Sequence, residues 1–118
     1  MIRLKNVKKT YDNGTQALKG ISFDIQDGEF VFLVGPSGSG KSTIIKLLTG
    51  EIEPTEGRVQ INGFSVSQMF HKQIPYMRRT IGVIFQDFRL ISRKTVYDNL
   101  VLAMRAVGAS SKEIRQRI

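Results

Sequence analysis

Gly35-Pro36-Ser37-Gly38-Ser39-Gly40-Lys41-Ser42-Thr43 is the feature that most limits what this chain can fold into. It fits the pattern G-x-x-x-x-G-K-S/T. It also stands between a continuous apolar run, Val31-Phe32-Leu33-Val34, and the residues Ile44, Leu47 and Leu48 at helical spacing. The run ends at a glycine and reads as a central parallel strand covered on both faces. Gly50 is placed to end the helix. Strand, loop and helix in that order form the context in which such a loop cradles phosphates. Gly35, Gly38 and Gly40 permit backbone angles that a side chain forbids, and they let the main chain approach an anion closely. Successive N–H groups then turn inward as a nest at the positive end of the helix dipole. Lys41 meets the β- and γ-phosphates as a point charge, and the Ser42 hydroxyl is the expected Mg²⁺ ligand. The expected nucleotide site therefore comprises Gly35, Ser37, Gly38, Ser39, Gly40, Lys41, Ser42 and Thr43. The bland alternative is a merely flexible Gly/Ser loop.

Around the loop the periodicity switches repeatedly. Ile2 and Leu4 alternate with polar residues, as do Ile21, Phe23 and Ile25, predicting half-buried antiparallel strands. Glu53-Pro54-Thr55-Glu56-Gly57 reads as a turn, and Val59 and Ile61 alternate into a strand closed by Asn62-Gly63. Pro75 opens a short helix towards Arg79, and Ile81 to Phe85 reads as a second continuous apolar strand. Val96, Leu100, Ala103, Met104 and Val107 then mark one face of a helix ending at Gly108. Ser110 and Glu113 have capping-box spacing, with Ile114 and Ile118 four apart behind them.

The chain's 118 residues suit one domain or the leading portion of a larger one. With no cysteine it can form neither a disulfide nor a thiolate zinc site. The first residues lack the apolar stretch of a signal peptide, and no apolar run is long enough to span a bilayer. Net charge is +8, unevenly spread: residues 1–63 hold eight basic and seven acidic side chains, residues 64–118 ten and three. The basic residues are single or paired rather than interleaved with aromatics. They read as a solvated face, and no nucleic-acid partner is expected.

The flanking segments narrow the class. Tyr11 follows an N-terminal strand reading IRLKNVKKTY, ALKGISFDIQDGEFVFLVG leads into the loop, and LTGEIEPTEGRVQINGFSV and RRTIGVIFQDFRLISRKTVYDNL follow. In this order the chain resembles the start of ABC-transporter ATPase subunits along essentially its whole length, with VIFQDFRLI and TVYDNL most similar to the bacterial cell-division branch. Lipoprotein-release and macrolide-export ATPases are near relatives.

The resemblance implies an α/β fold: a P-loop NTPase (RecA-like) core with an N-terminal antiparallel β subdomain and the start of a helical subdomain. The implied division is 1–87 for the nucleotide-binding core and 88–118 for the opening of the helical part. Tyr11 takes the role of the aromatic that stacks on adenine, and Gln86 that of the glutamine touching Mg²⁺ and the attacking water. Read from residues alone, Tyr11 is equally a rim tyrosine and Gln86 a polar residue ending an apolar strand. Residues 87–99 would receive the coupling helix of an integral membrane partner, placing the protein in the cytoplasm on the inner face of the membrane. The parent would hydrolyse ATP, with Mg²⁺, as a head-to-tail homodimer. His71, the only histidine, is expected at the surface.

The family's signature segment (LSGGQ-like), its strand ending in Asp-Glu and its switch histidine do not occur in residues 1–118. The chain therefore reads as the N-terminal portion of such a subunit, inactive by itself. Two other classes compete with that reading: a self-sufficient small nucleotide kinase, and a non-hydrolysing nucleotide-binding module used for docking.

Overall fold

The computed structural model describes residues 1–118, which divide into two compact units, 1–80 and 81–118. The first unit is built on a four-stranded sheet in the order β2-β1-β3-β4, with β1 at Ile2–Thr10, β2 at Gln16–Ile25, β3 at Glu56–Ile61 and β4 at Phe64–Ser65. All pairings are antiparallel, and Leu4 faces Phe23 on one side and Val59 on the other. The alternation of Ile2 with Leu4 and of Val59 with Ile61 places one face of β1 and β3 in the core.

That alternation breaks within β1. Leu4 and Val7 are both buried although three residues apart, because the ladder shifts between them and Asn6 takes a left-handed backbone (φ 50°). One extra residue returns the next side chain to the same face. Ser22 secures the irregularity: its Oγ accepts from the Asn6 amide at 2.8 Å and donates to Asn6 Oδ1 at 3.3 Å. Gly57 of β3 lies against the same bulge. A Cβ there would stand 2.4 Å from the Asn6 carbonyl oxygen, so only glycine admits this approach.

Helix α1 spans Lys41–Leu48 and buries Thr43, Ile44 and Leu47. Its end is set by Gly50 (φ 70°), whose amide bonds Leu47 O while the Glu51 amide reaches back to Lys46 O. This is the double bond pattern that satisfies a helix's last carbonyls. Helix α2, Ile74–Arg78, carries Pro75 in its first turn, where no N–H is needed, and buries Met77. Met77 Cε, Ile74 Cγ2 and Val66 Cγ1 lie 3.2, 3.6 and 3.7 Å from where a Cβ on Gly50 would stand, so they pack against the end of α1. Asn62 and Gly63 both have positive φ, which turns β3 directly into β4.

The second unit holds α3 at Val96–Ala106 and α4 at Ser111–Arg117. Both begin in full capping boxes, Thr95 with Asp98 and Ser110 with Glu113. Helix α3 ends as α1 does, with Gly108 N bonded to Arg105 O and Ala109 N to Met104 O. Its apolar stripe is uncovered, with no buried residue along the helix. Ile114 of α4 is buried.

The expected parallel strands at 31–34 and 81–85 need correction: neither segment joins a ladder. A strand exists only through a partner's hydrogen bonds. Within the first unit, the sheet is made by β1 to β4 alone. Phe32 and Val34 are 79% and 83% exposed and Ile84 is 95% exposed, so these runs carry core-type side chains without a covering layer.

Candidate functional site

Residues 35–43 fold back over the start of α1. Gly38 (φ 79°) and Gly40 (φ 100°) hold left-handed backbone, and the Ser39 amide bonds Pro36 O to close the turn. The first amide of α1 with an acceptor in the helix is that of Ile44, bonded to Gly40 O at 3.0 Å. The amides of Lys41, Ser42 and Thr43 precede it and are the orphan donors of a helix start. No side chain caps this end and no acidic residue lies in its first turn. The helix dipole and the Lys41 charge therefore act together on whatever anion reaches it. The Lys41 ammonium lies over the loop, donating to the carbonyls of Gly35 and of Pro36 (2.7 Å) and to Ser39 Oγ (3.3 Å).

The loop is backed by the β1–β2 hairpin. Gly40 is buried against Ala17 and Leu18 of β2, where a Cβ would lie 2.9 Å from Ala17 O and 2.8 Å from Leu18 Cδ2. Tyr11 opens the hairpin loop, its amide bonded to Thr15 O and its carbonyl to the Gly14 amide. Its hydroxyl lies 2.9 Å from Thr43 Oγ1. Lys9 Nζ stands over the Tyr11 ring at 5.5 Å and is tied to Glu53 O. Tyr11 and the phosphate loop, 24 residues apart in sequence, are thus brought together. Ser37, Ser39 and Ser42 are exposed on the loop, while Thr43 is buried.

Ala17, Leu18 and Lys9 are absent from the sequence-derived site. Lys9 was not legible, since β1 ends at Thr10 and its ladder shifts between Lys9 and Thr10, so the two-residue period does not reach Tyr11. Ala17 and Leu18 carry no signal either, because their contact with Gly40 depends on how the hairpin folds over the loop.

Gln86 belongs to the second unit, where it is exposed at the start of a turn over residues 86–89. Phe88 (φ 59°) and Arg89 (φ 47°) both adopt left-handed backbone, uncommon for such side chains. The Arg89 guanidinium lies 3.8 Å from the Phe85 ring centroid and pairs with Asp87. Further on, Asn99 organises the segment before α3, accepting from the Ile91 amide at 2.8 Å and donating to the carbonyls of Ile91 and Thr95. His71 is exposed, as its polar surroundings predicted.

No cluster of three or more carboxylate, imidazole or thiolate side chains is present to cage a metal. The Ser42 hydroxyl, exposed at the start of α1, is a hard oxygen of the kind Mg²⁺ accepts, while Gln86 belongs to the other unit.

An uncapped helix start bearing a lysine after a Gly-rich turn is suited to an anion, and the chain belongs to the ABC transporter family, whose model matches residues 18–118. Over all 118 residues it is 47% identical to the cell division ATP-binding protein FtsE of Bacillus subtilis and 43% identical to that of Escherichia coli. It spans about half the length of these relatives, 52% and 53%. It also matches a dimeric ATP-binding cassette solved in a post-hydrolysis state with ADP and Pi, at 39% identity and a TM-score of 0.88. That match covers 99% of this chain and 53% of the other. The expected class is borne out: an α/β P-loop ATPase fold with an antiparallel β subdomain and helices, corresponding to half of a cassette. No helix is long and apolar enough to cross a membrane.

Proposed function

We propose that this chain is the ATP-binding portion of an FtsE-type ATPase, which works in cell division beneath an FtsX-like integral membrane partner. The observation that carries the reading is the start of α1, where three free amides, an uncapped dipole and the Lys41 ammonium converge. The β- and γ-phosphates pair with Lys41 and with the amides of residues 38–43. Tyr11 offers its ring to adenine beside the loop. Mg²⁺, when bound, neutralises phosphate charge, and the Ser42 hydroxyl is the group at the loop that would hold it. The functional division follows at residue 87, with residues 88–118 opening the helical part and residues 87–99 facing the partner.

In the parent, two copies hydrolyse ATP head to tail on the cytoplasmic side of the membrane; the solved cassette relative, a dimer with ADP and Pi, supports the pairing of two copies. Residues 1–118 hold no carboxylate placed as a general base behind the loop, so the cradle alone does not position water for attack. Phosphate release tests the reading. The 118-residue chain binds MgATP without turnover, while the parent reconstituted with its membrane partner turns it over and loses turnover with Lys41→Ala. Turnover by the chain alone would point to a self-sufficient enzyme instead.

A further inference from the structure

The Tyr11 hydroxyl reaches α1, where it meets Thr43 Oγ1 at 2.9 Å. Stacking uses the ring and has no need of the hydroxyl. Tyr11 is held at its own end of this link, its backbone bonded to Thr15 and Gly14 and Lys9 Nζ lying over its ring at 5.5 Å. Thr43 is 7% exposed and is the one buried polar or charged residue of the core. It sits in the first turn of α1, among the amides left without helical acceptors.

We infer that the Tyr11 hydroxyl is a positioning group for the phosphate chain, acting through Thr43. A hydroxyl carries one proton and two lone pairs, and a phenol is the stronger donor of the two partners. Tyr11 therefore donates to Thr43 Oγ1, which accepts through a lone pair and keeps its own proton. That proton is left for another acceptor, and the acceptor the inference assigns is a phosphate oxygen at the helix start, in place of the carbonyl of the preceding turn. Tyr11 thus serves both ends of the nucleotide, the base through its ring and the phosphates through its hydroxyl. The inference rests on the phosphate-loop reading and adds to it a role for an atom that stacking leaves unused.

Calorimetric titration with inorganic tripolyphosphate, which has no base to stack, isolates the hydroxyl. Tyr11→Phe keeps the ring and is expected to weaken tripolyphosphate binding about three- to tenfold, the range of one net hydrogen bond. Thr43→Val should weaken it at least as much, and Thr43→Ser should recover most of that loss. The double variant Tyr11→Phe/Thr43→Val should bind no more weakly than Thr43→Val alone. Titrations well below each variant's unfolding midpoint keep a purely structural loss out of the comparison. Unchanged tripolyphosphate affinity in Tyr11→Phe, or losses that multiply in the double variant, would overturn the inference. Lys41→Ala is the separate control. If it still binds tripolyphosphate at wild-type affinity, the phosphate-loop reading itself fails, whatever Tyr11 does.

Discussion

Gly40 and Ala17 approach so closely that a Cβ on Gly40 would stand 2.9 Å from the Ala17 carbonyl oxygen. The oxygen belongs to strand backbone, so it cannot swing aside as a side-chain tip would. Gly40 also holds φ at 100°, a conformation unfavourable for any L side chain. Gly40→Ala therefore combines backbone strain with a clash against β2. The expected loss is about 2 kcal/mol or more of folding stability, together with tripolyphosphate binding. Urea denaturation and titration of the same variant check both.

Tyr11→Ala removes the ring as well as the hydroxyl. ATP affinity should fall by roughly 1–3 kcal/mol from lost stacking, beyond the smaller loss shared with tripolyphosphate. Because every base has a π-face, ATP should be preferred over GTP only mildly. Equal losses for ATP and tripolyphosphate would show that the ring does not meet the base.

In the second unit, the Glu113 carboxylate accepts from the Ser110 amide and hydroxyl, both at 2.7 Å. The backbone bond chiefly, and the hydroxyl with it, hold its pKa below the ordinary glutamate value. A lowered folded pKa means that the cap's contribution is complete above the unfolded value, about 4.3. It is lost as pH falls through the folded one. Helix α4 should fray on acidification, and Ser110→Ala should raise the Glu113 pKa in an NMR carboxyl titration. A Glu113 pKa unmoved by that substitution would contradict the cap.

Phe30, Phe32, Val34 and Ile84 are each at least 79% exposed. Apolar surface of this kind in segments without ladder partners favours association. The purified 118-residue chain should self-associate in light scattering as its concentration rises; a monodisperse monomer throughout would argue that these segments are covered some other way.

Much of this architecture was legible because local signals coincide. The loop pattern, the Ser110–Glu113 capping box, and the glycines ending α1 and α3 each act within a few residues, so spacing alone exposes them. Core positions were legible only where the two-residue period holds. It found Leu4 and Val59 but passed over Val7 and Leu18, because the ladder shifts near Asn6 and Gly20 change the phase. The runs at 31–34 and 81–85 show the opposite limit. Their composition announces burial, yet a strand forms only when another strand bonds to it, and no local signal reports whether one is present. The contacts of Gly40 with Ala17 and of Tyr11 with Thr43 join residues far apart in sequence and had no pattern to reveal them.

The central claim is that a nucleoside triphosphate binds at the start of α1 under the control of Lys41. Two-dimensional amide NMR of the chain titrated with MgATP tests it most directly. The account predicts that the largest shifts fall on Gly38 to Thr43 and that Lys41→Ala abolishes most of the binding. Shifts centred elsewhere, or wild-type ATP affinity in Lys41→Ala, would contradict it.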